Sequence, residues 1–236
     1  MKKYLLVFCL SIATNLCYSQ KFAYGLHVGY VRTVYSFPVK SDDYNSADIA
    51  PFYSPSLAMS IHFLALKSFR IGTGIQYLSI SGAKDAGQVP GNFGNPNSKG
   101  RLLFNIDNSY LIFPVDFLVI LSHQARVKPV LSAGINFFVP LLQSISLQVA
   151  PETINSFYPT VETTIDKNTP NQYFGFYIGS GFILPISHHE LVLLLKYKSN
   201  TSRYTIKNAF LADPEKHEIK FNMIELSLGW NFIGKD

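Results

Sequence analysis

Read two residues at a time, the chain separates into eight segments in which apolar and polar side chains alternate: 22–34, 56–64, 69–80, 110–120, 127–139, 173–184, 191–198 and 222–233. A period of two marks a strand whose two faces meet different surroundings, and each segment has about the length of a tilted strand crossing a bilayer. In the last segment Ile224, Leu226, Leu228, Trp230 and Phe232 share one face, and Glu225, Ser227, Gly229 and Asn231 the other. The first segment sets Phe22, Tyr24, Leu26, Val28 and Tyr30 against Ala23, Gly25, His27 and Gly29. The third sets Phe69, Ile71, Thr73, Ile75 and Tyr77 against Arg70, Gly72, Gly74 and Gln76.

Alternation alone fits a sandwich or a soluble barrel as well as a membrane barrel, so the question is which face looks inward. Gly25, Gly29, Gly72, Gly74, Gly134, Gly175, Gly179, Gly181 and Gly229 all lie on the face that carries the charges, while the bulky apolar residues lie on the other. A narrow eight-stranded barrel has room inside only for small residues. The polar face is therefore read as the lumen and the Leu/Phe face as the outer wall. A wall of that composition exceeds the apolar patches that soluble proteins tolerate, and lipid is the solvent that fits it. The predicted fold is all-β, an eight-stranded antiparallel up-and-down transmembrane barrel. Its first and last strands must pair, because unpaired amides in hydrocarbon cost several kcal/mol each.

Loop lengths add an orientation. The connections 35–55, 81–109, 140–172 and 199–221 are long and those between are short, the asymmetry of outer-membrane barrels with long external loops and tight periplasmic turns. Both termini are then expected in the periplasm. Phe22, Tyr24, Phe63, Phe69, Phe182, Trp230 and Phe232 read as an interfacial aromatic girdle at that end.

The amino terminus agrees with export. Lys2 and Lys3, the apolar run Tyr4 to Ala13 and the stretch Cys17-Tyr18-Ser19-Gln20 predict a signal peptide over 1–19, leaving 20–236 as the barrel. Asn15 and Leu16 before Cys17 do not make a lipidation site. Cys9 and Cys17 both fall in the removed segment, so a mature chain would carry no disulfide. Hydrophobic residues make up 47% of the chain, yet outside the leader no run is long enough for a membrane helix. The mature chain would keep 18 basic against 15 acidic residues, and this small excess without a basic run does not point to nucleic acid.

The stretch Ser109-Tyr110-Leu111-Ile112-Phe113-Pro114-Val115, with the strand opener Lys128-Pro129-Val130-Leu131-Ser132-Ala133-Gly134, resembles the PorT-like outer-membrane barrel family of Bacteroidota. In that family a Tyr-Leu-Glu-Ile-Pro strand and a Lys-Pro-Tyr-Val-Gly-Ala-Gly strand recur at the same places. Here Ile112 stands where the family often has Glu. The resemblance spans essentially the whole mature chain and implies a membrane barrel, with a secretion-associated role by analogy.

Candidate chemistry is confined to the interior, where a charge network of His27, His62, Arg70, Asp116, Lys128, Lys196, Lys198 and Glu225 is expected to fill space by pairing. Neighbouring strands would set Glu225 beside Lys196 and His27, and Asp116 between Arg70 and Lys128. His123, His188 and His189 fall in short turns. His217 sits in a long connection among Asp213, Glu215 and Glu218, a set read as a solvated loop. Loop 81–108, rich in Gly, Asn, Pro and Ser, has no phosphate-cradling pattern. No cofactor, metal or catalytic residue is expected. The partners implied are membrane lipid and other envelope or secretion proteins. Three function classes follow: a non-enzymatic surface-loop anchor or assembly subunit, a narrow channel or small-ligand-binding barrel, and a surface lipid-modifying enzyme.

Overall fold

The computed structural model describes residues 22–36, 51–66, 68–91, 98–122, 124–151, 173–200, 204–206 and 217–234. The proposed signal peptide and parts of the long connections lie outside them. The elements are β1 (Phe22–Ser36), β2 (Phe52–Leu66), β3 (Phe69–Gly91), β4 (Ser98–Ile120), β5 (Lys128–Pro151), β6 (Tyr173–Ile186), β7 (His189–Asn200), β8 (Tyr204–Ile206) and β9 (His217–Ile233). Each strand from β1 to β7 pairs antiparallel with the next, β7 pairs with β9, and β9 pairs with β1 from Ala23↔Ile233 to Ser36↔Lys220. The result is a closed eight-stranded antiparallel barrel with no open edge through its wall.

All eight predicted strands are present, but β3, β4 and β5 run well past their predicted ends, to Gly91, from Ser98 and to Pro151. Much of the expected loops 81–109 and 140–172 is therefore strand. Apolar alternation marks only the stretch facing lipid, whereas backbone pairing continues beyond it through polar neighbours such as Ser79↔Ser109. The expected connection 199–221 likewise contains β8, which pairs with the start of β9 from Tyr204↔Ile219 to Ile206↔His217.

Both described ends of the chain meet at one rim, where the Gly234 amide donates to the Phe22 carbonyl at 2.9 Å. The three tight hairpins β2–β3, β4–β5 and β6–β7 share this terminal rim. In the last of these, Ser187 reverses the chain with a φ of 55°, the left-handed conformation that two-residue hairpin turns require.

Side chains point as the alternation predicts. Along β1, Phe22, Tyr24, Leu26, Val28 and Tyr30 are exposed on the outside, while Ala23, Val31 and Thr33 are buried within. Arg32 has the same outward parity as Tyr30 and is exposed, which ends the apolar belt on this strand. Rings mark both borders of the belt. Near the terminal rim Phe22 lies 5.8 Å from Phe63, and His189 stands 5.5 Å from Trp230 and 5.1 Å from Phe232. Toward the far end Tyr30 stacks on Tyr53 at 5.8 Å, and Phe137 meets Phe174 at 4.7 Å. Tyr30 follows Phe22 by eight residues on a tilted strand, a height of roughly 20 Å, close to the apolar band of membrane barrels.

The interior departs from a uniformly polar lumen. Val31, Tyr35, Phe52, Leu78, Ile80, Ile106, Tyr110, Ile112, Phe138, Phe221 and Met223 form a buried apolar layer toward the far end. Leu118, Ile120, Val130, Ile183, Val192 and Leu194 form a second one nearer the terminal rim. Polar residues occupy the space between. The inward face was expected to be polar throughout because glycines and charges mark its middle. Its ends are instead packed like a protein core, which stabilises a barrel too narrow to hold a water column.

Candidate functional site: an ion-paired chamber inside the barrel

The strand registers bring the charged side chains together between the two apolar layers. Lys196 on β7 and Glu225 on β9 are directly opposed, yet Glu225 pairs with Lys198, two residues further along β7, at 2.5 Å. The other oxygen of Glu225 accepts from Gln76 Nε2 at 2.6 Å and from Ser56 Oγ at 3.0 Å. Lys198 also donates to Gln76 Oε1 at 2.7 Å. Gln76 thus bridges acid and base from β3, on the opposite wall, and the cluster links four strands. A buried carboxylate needs such a set of donors, because desolvation otherwise outweighs the attraction of a single ammonium.

A second cluster lies nearer the terminal rim. Arg70 on β3 reaches Glu190 on β7 with two hydrogen bonds of 2.5 and 2.7 Å. Such a planar fork on a carboxylate is the strongest neutralisation available to a buried acid. Asp116 accepts a short hydrogen bond from Tyr177 OH and has His62 Nε2 at 3.8 Å. The Lys196 ammonium lies 4.9 Å above the Tyr177 ring, a cation–π arrangement. His27 shares a 2.8 Å hydrogen bond with Ser60 Oγ.

Glycines make the room. A Cβ at Gly229 would collide with the His27 ring, one at Gly72 with His62, and one at Gly29 with Ser56 and Glu225. The remaining void is about 50 Å3, bordered by His27, His62, Asp116, Tyr177, Lys196 and Glu225 among others. That is room for a few waters, well short of the several hundred Å3 usual for ligand pockets.

The structure brings seven of the eight sequence-predicted residues to this interior. Lys128, the eighth, stands at the terminal start of β5 opposite Ile183 and is half-buried. The expected pairings need correction. Lys196 is the register neighbour of Glu225 as expected, but the ion pair of Glu225 is with Lys198, and His27 stands opposite Gly229. Asp116 takes Tyr177 and His62 in place of Arg70 and Lys128. Long side chains cross a lumen this narrow: Arg70 is drawn away from Asp116 to Glu190 on the far wall, and Gln76, reaching over from β3, holds Lys198 against Glu225.

Sequence reading missed Glu190, which it left outside the predicted strand 191–198; β7 begins two residues earlier, at His189. The parity shared with Val192, Leu194, Lys196 and Lys198 was the signal that could have found it. The His217 set does not form a describable site: His217 opens β9, while Asp213 and Glu215 lie outside the described residues. Among the described residues no group of three or more His, Cys, Asp or Glu is arranged to hold a metal.

No known family profile matches the chain, and no curated protein does. Solved structures of similar architecture include the outer membrane protein OprG of Pseudomonas aeruginosa, 10% identical over 92% of this chain and 96% of that one, with a TM-score of 0.46. The outer membrane protease OmpT of Escherichia coli is 12% identical over 91% and 96%, at 0.47. Neisserial surface protein A is 12% identical over 89% and 97%, at 0.44. Likenesses at this level assign no role, and the barrel itself rests on the strand pairing described above.

Proposed function

We propose that this chain is an integral outer-membrane barrel that does not conduct and is not an enzyme, and that it serves as an anchor for the structure it carries beyond the membrane. The observation that carries this reading is the filled lumen: an apolar layer closes each side of a chamber of about 50 Å3. With the interior committed to packing, the surfaces left for a partner are the lipid-facing belt and the extensions of β3, β4 and β5. Long connections at one end and tight hairpins at the other support an orientation with the extensions outside the cell and both termini in the periplasm. The PorT-like motifs around Tyr110–Val115 and Lys128–Gly134 favour, by analogy, a subunit of an envelope or secretion assembly.

The second reading, a narrow channel or small-ligand barrel, draws on the polar chamber. It requires both apolar layers to open. Planar-bilayer recordings of the purified barrel separate the two: the anchor reading expects no steps above baseline, and steady unitary conductance would replace it with the channel. Protease shaving of intact cells tests the orientation, with cleavage expected beyond Gly91 and Pro151 and none at the tight hairpins.

A further inference from the structure

The two borders of the apolar belt differ in chemistry. At the terminal rim the outermost rings are Phe22, Phe63, Phe182, Trp230 and Phe232, none with a hydroxyl. At the far border one row of the ladder sets Tyr53 on β2, Arg32 on β1, Ile224 on β9 and Tyr197 on β7 side by side. Tyr30 stacks on Tyr53 at 5.8 Å. Tyr30, Tyr53 and Tyr197 are exposed on the outer wall, and Arg32 is exposed with them. Around the same border, Tyr77 on β3 turns its hydroxyl to Ser109, and the β5–β6 side is closed by Phe137 and Phe174. Groups able to donate to a headgroup are therefore gathered on β2, β1, β9 and β7.

We propose that Arg32, flanked by Tyr30 and Tyr53, binds the phosphate of an anionic lipid headgroup at this border. A guanidinium presents a planar fork that matches phosphate oxygens two at a time. Among the side chains the structure describes, no carboxylate competes for it: Asp116, Glu190 and Glu225 have partners inside the barrel, and Asp107 is on β4. Tyr53 faces Arg32 across the ladder, where side chains start about 5 Å apart, so its phenol can donate to the same phosphate. A tyrosine at headgroup level keeps its ring in the apolar zone and its hydroxyl in the polar one.

The surface next to Arg32 decides between a lipid and a free anion. Down the same outward line of β1 follow Tyr30, Val28 and Leu26, with Leu226 and Leu228 beside them on β9, all exposed. A lipid whose phosphate sits on Arg32 lays its acyl chains on this apolar strip. Inorganic phosphate gains nothing from the strip and meets one exposed cation, a weak pair in water. An acidic protein segment would likewise leave the strip uncovered. This inference deepens the anchor reading, since a headgroup held at one border fixes the depth of the barrel. It rests on the lipid-facing outer wall and not on which side of the membrane the far border lies.

The test uses the full mature chain in nanodiscs of a zwitterionic lipid, with phosphatidylglycerol of the same acyl chains titrated in as the probe. Saturable shifts of the backbone amide resonances are expected at Arg32, Tyr53 and Ile224, and not at Phe63 or Trp230 on the other border. Arg32→Gln should weaken the apparent affinity about fivefold, and Arg32→Lys, which keeps the charge and loses the fork, by less. Arg126→Gln removes an exposed cation at the terminal rim and should leave the affinity unchanged. Inorganic phosphate should not reproduce the shifts. The proposal is overturned if the shifts do not saturate or fall on both borders alike, or if Arg32→Gln binds as the unaltered chain does. It is also overturned if inorganic phosphate gives the same shifts, which would mean a site for a free anion. Heat-dependent gel migration of each variant verifies that the barrel is intact, and its absence in the unaltered chain would mark failure of the lipid-facing wall, as distinct from failure of this site.

Discussion

Arg70 and Glu190, 120 residues apart in sequence, join opposite walls of the barrel through two hydrogen bonds of 2.5 and 2.7 Å. Both are almost completely shielded from solvent. Removing one partner leaves a buried charge alone, which costs about 3–5 kcal/mol, whereas replacing both with apolar residues of similar volume is often near neutral. Arg70→Met and Glu190→Leu are therefore each expected to destabilise the barrel by several kcal/mol, with the double variant recovering most of the loss. Urea unfolding in lipid vesicles checks this. Additive single effects would mean that the pair is not coupled.

The inward glycines predict a steric asymmetry. Gly229→Leu pushes a side chain into the His27 ring, and overpacking of this kind costs about 1–3 kcal/mol or more. Leu228→Met, one residue away on the outer face, should change stability by less than about 1 kcal/mol. Folding yields of the two variants in the same vesicles provide the comparison.

The outer face predicts an asymmetry of charge. Leu228, opposite Val28, is 45% exposed in the middle of the apolar belt, so Leu228→Arg should cost about 2–4 kcal/mol in a bilayer. Arg32, just beyond the belt on β1, should tolerate Arg32→Glu with little change. Equal sensitivity at the two positions in a vesicle-folding titration would contradict the placement of the membrane.

What the sequence made legible was the lipid-facing part of each strand. Leu226 and Tyr24 could be assigned outward because a bilayer tolerates no charge there, and that constraint leaves a strict period of two. The apolar layers inside were not legible. Leu78, Ile80, Ile112 and Phe138 point inward, and hydrophobic residues on both faces erase the alternation that tells the faces apart. The extensions of β3 and β4 were missed for a related reason, since pairs such as Ser81↔Asp107 and Ala83↔Asn105 are held by backbone hydrogen bonds and carry no hydrophobic signature. Within the chamber, parity identified which charges face inward. It could not choose between Lys196 and Lys198 for Glu225, because that choice depends on Gln76 from the opposite wall.

The central claim is a closed barrel whose outer wall faces lipid, and gel migration of the outer-membrane fraction with and without boiling tests it most directly. The account predicts that the chain is recovered in that fraction and migrates as a compact species until heated, then shifts to its unfolded position. Recovery as a soluble protein with the same migration before and after boiling would contradict it.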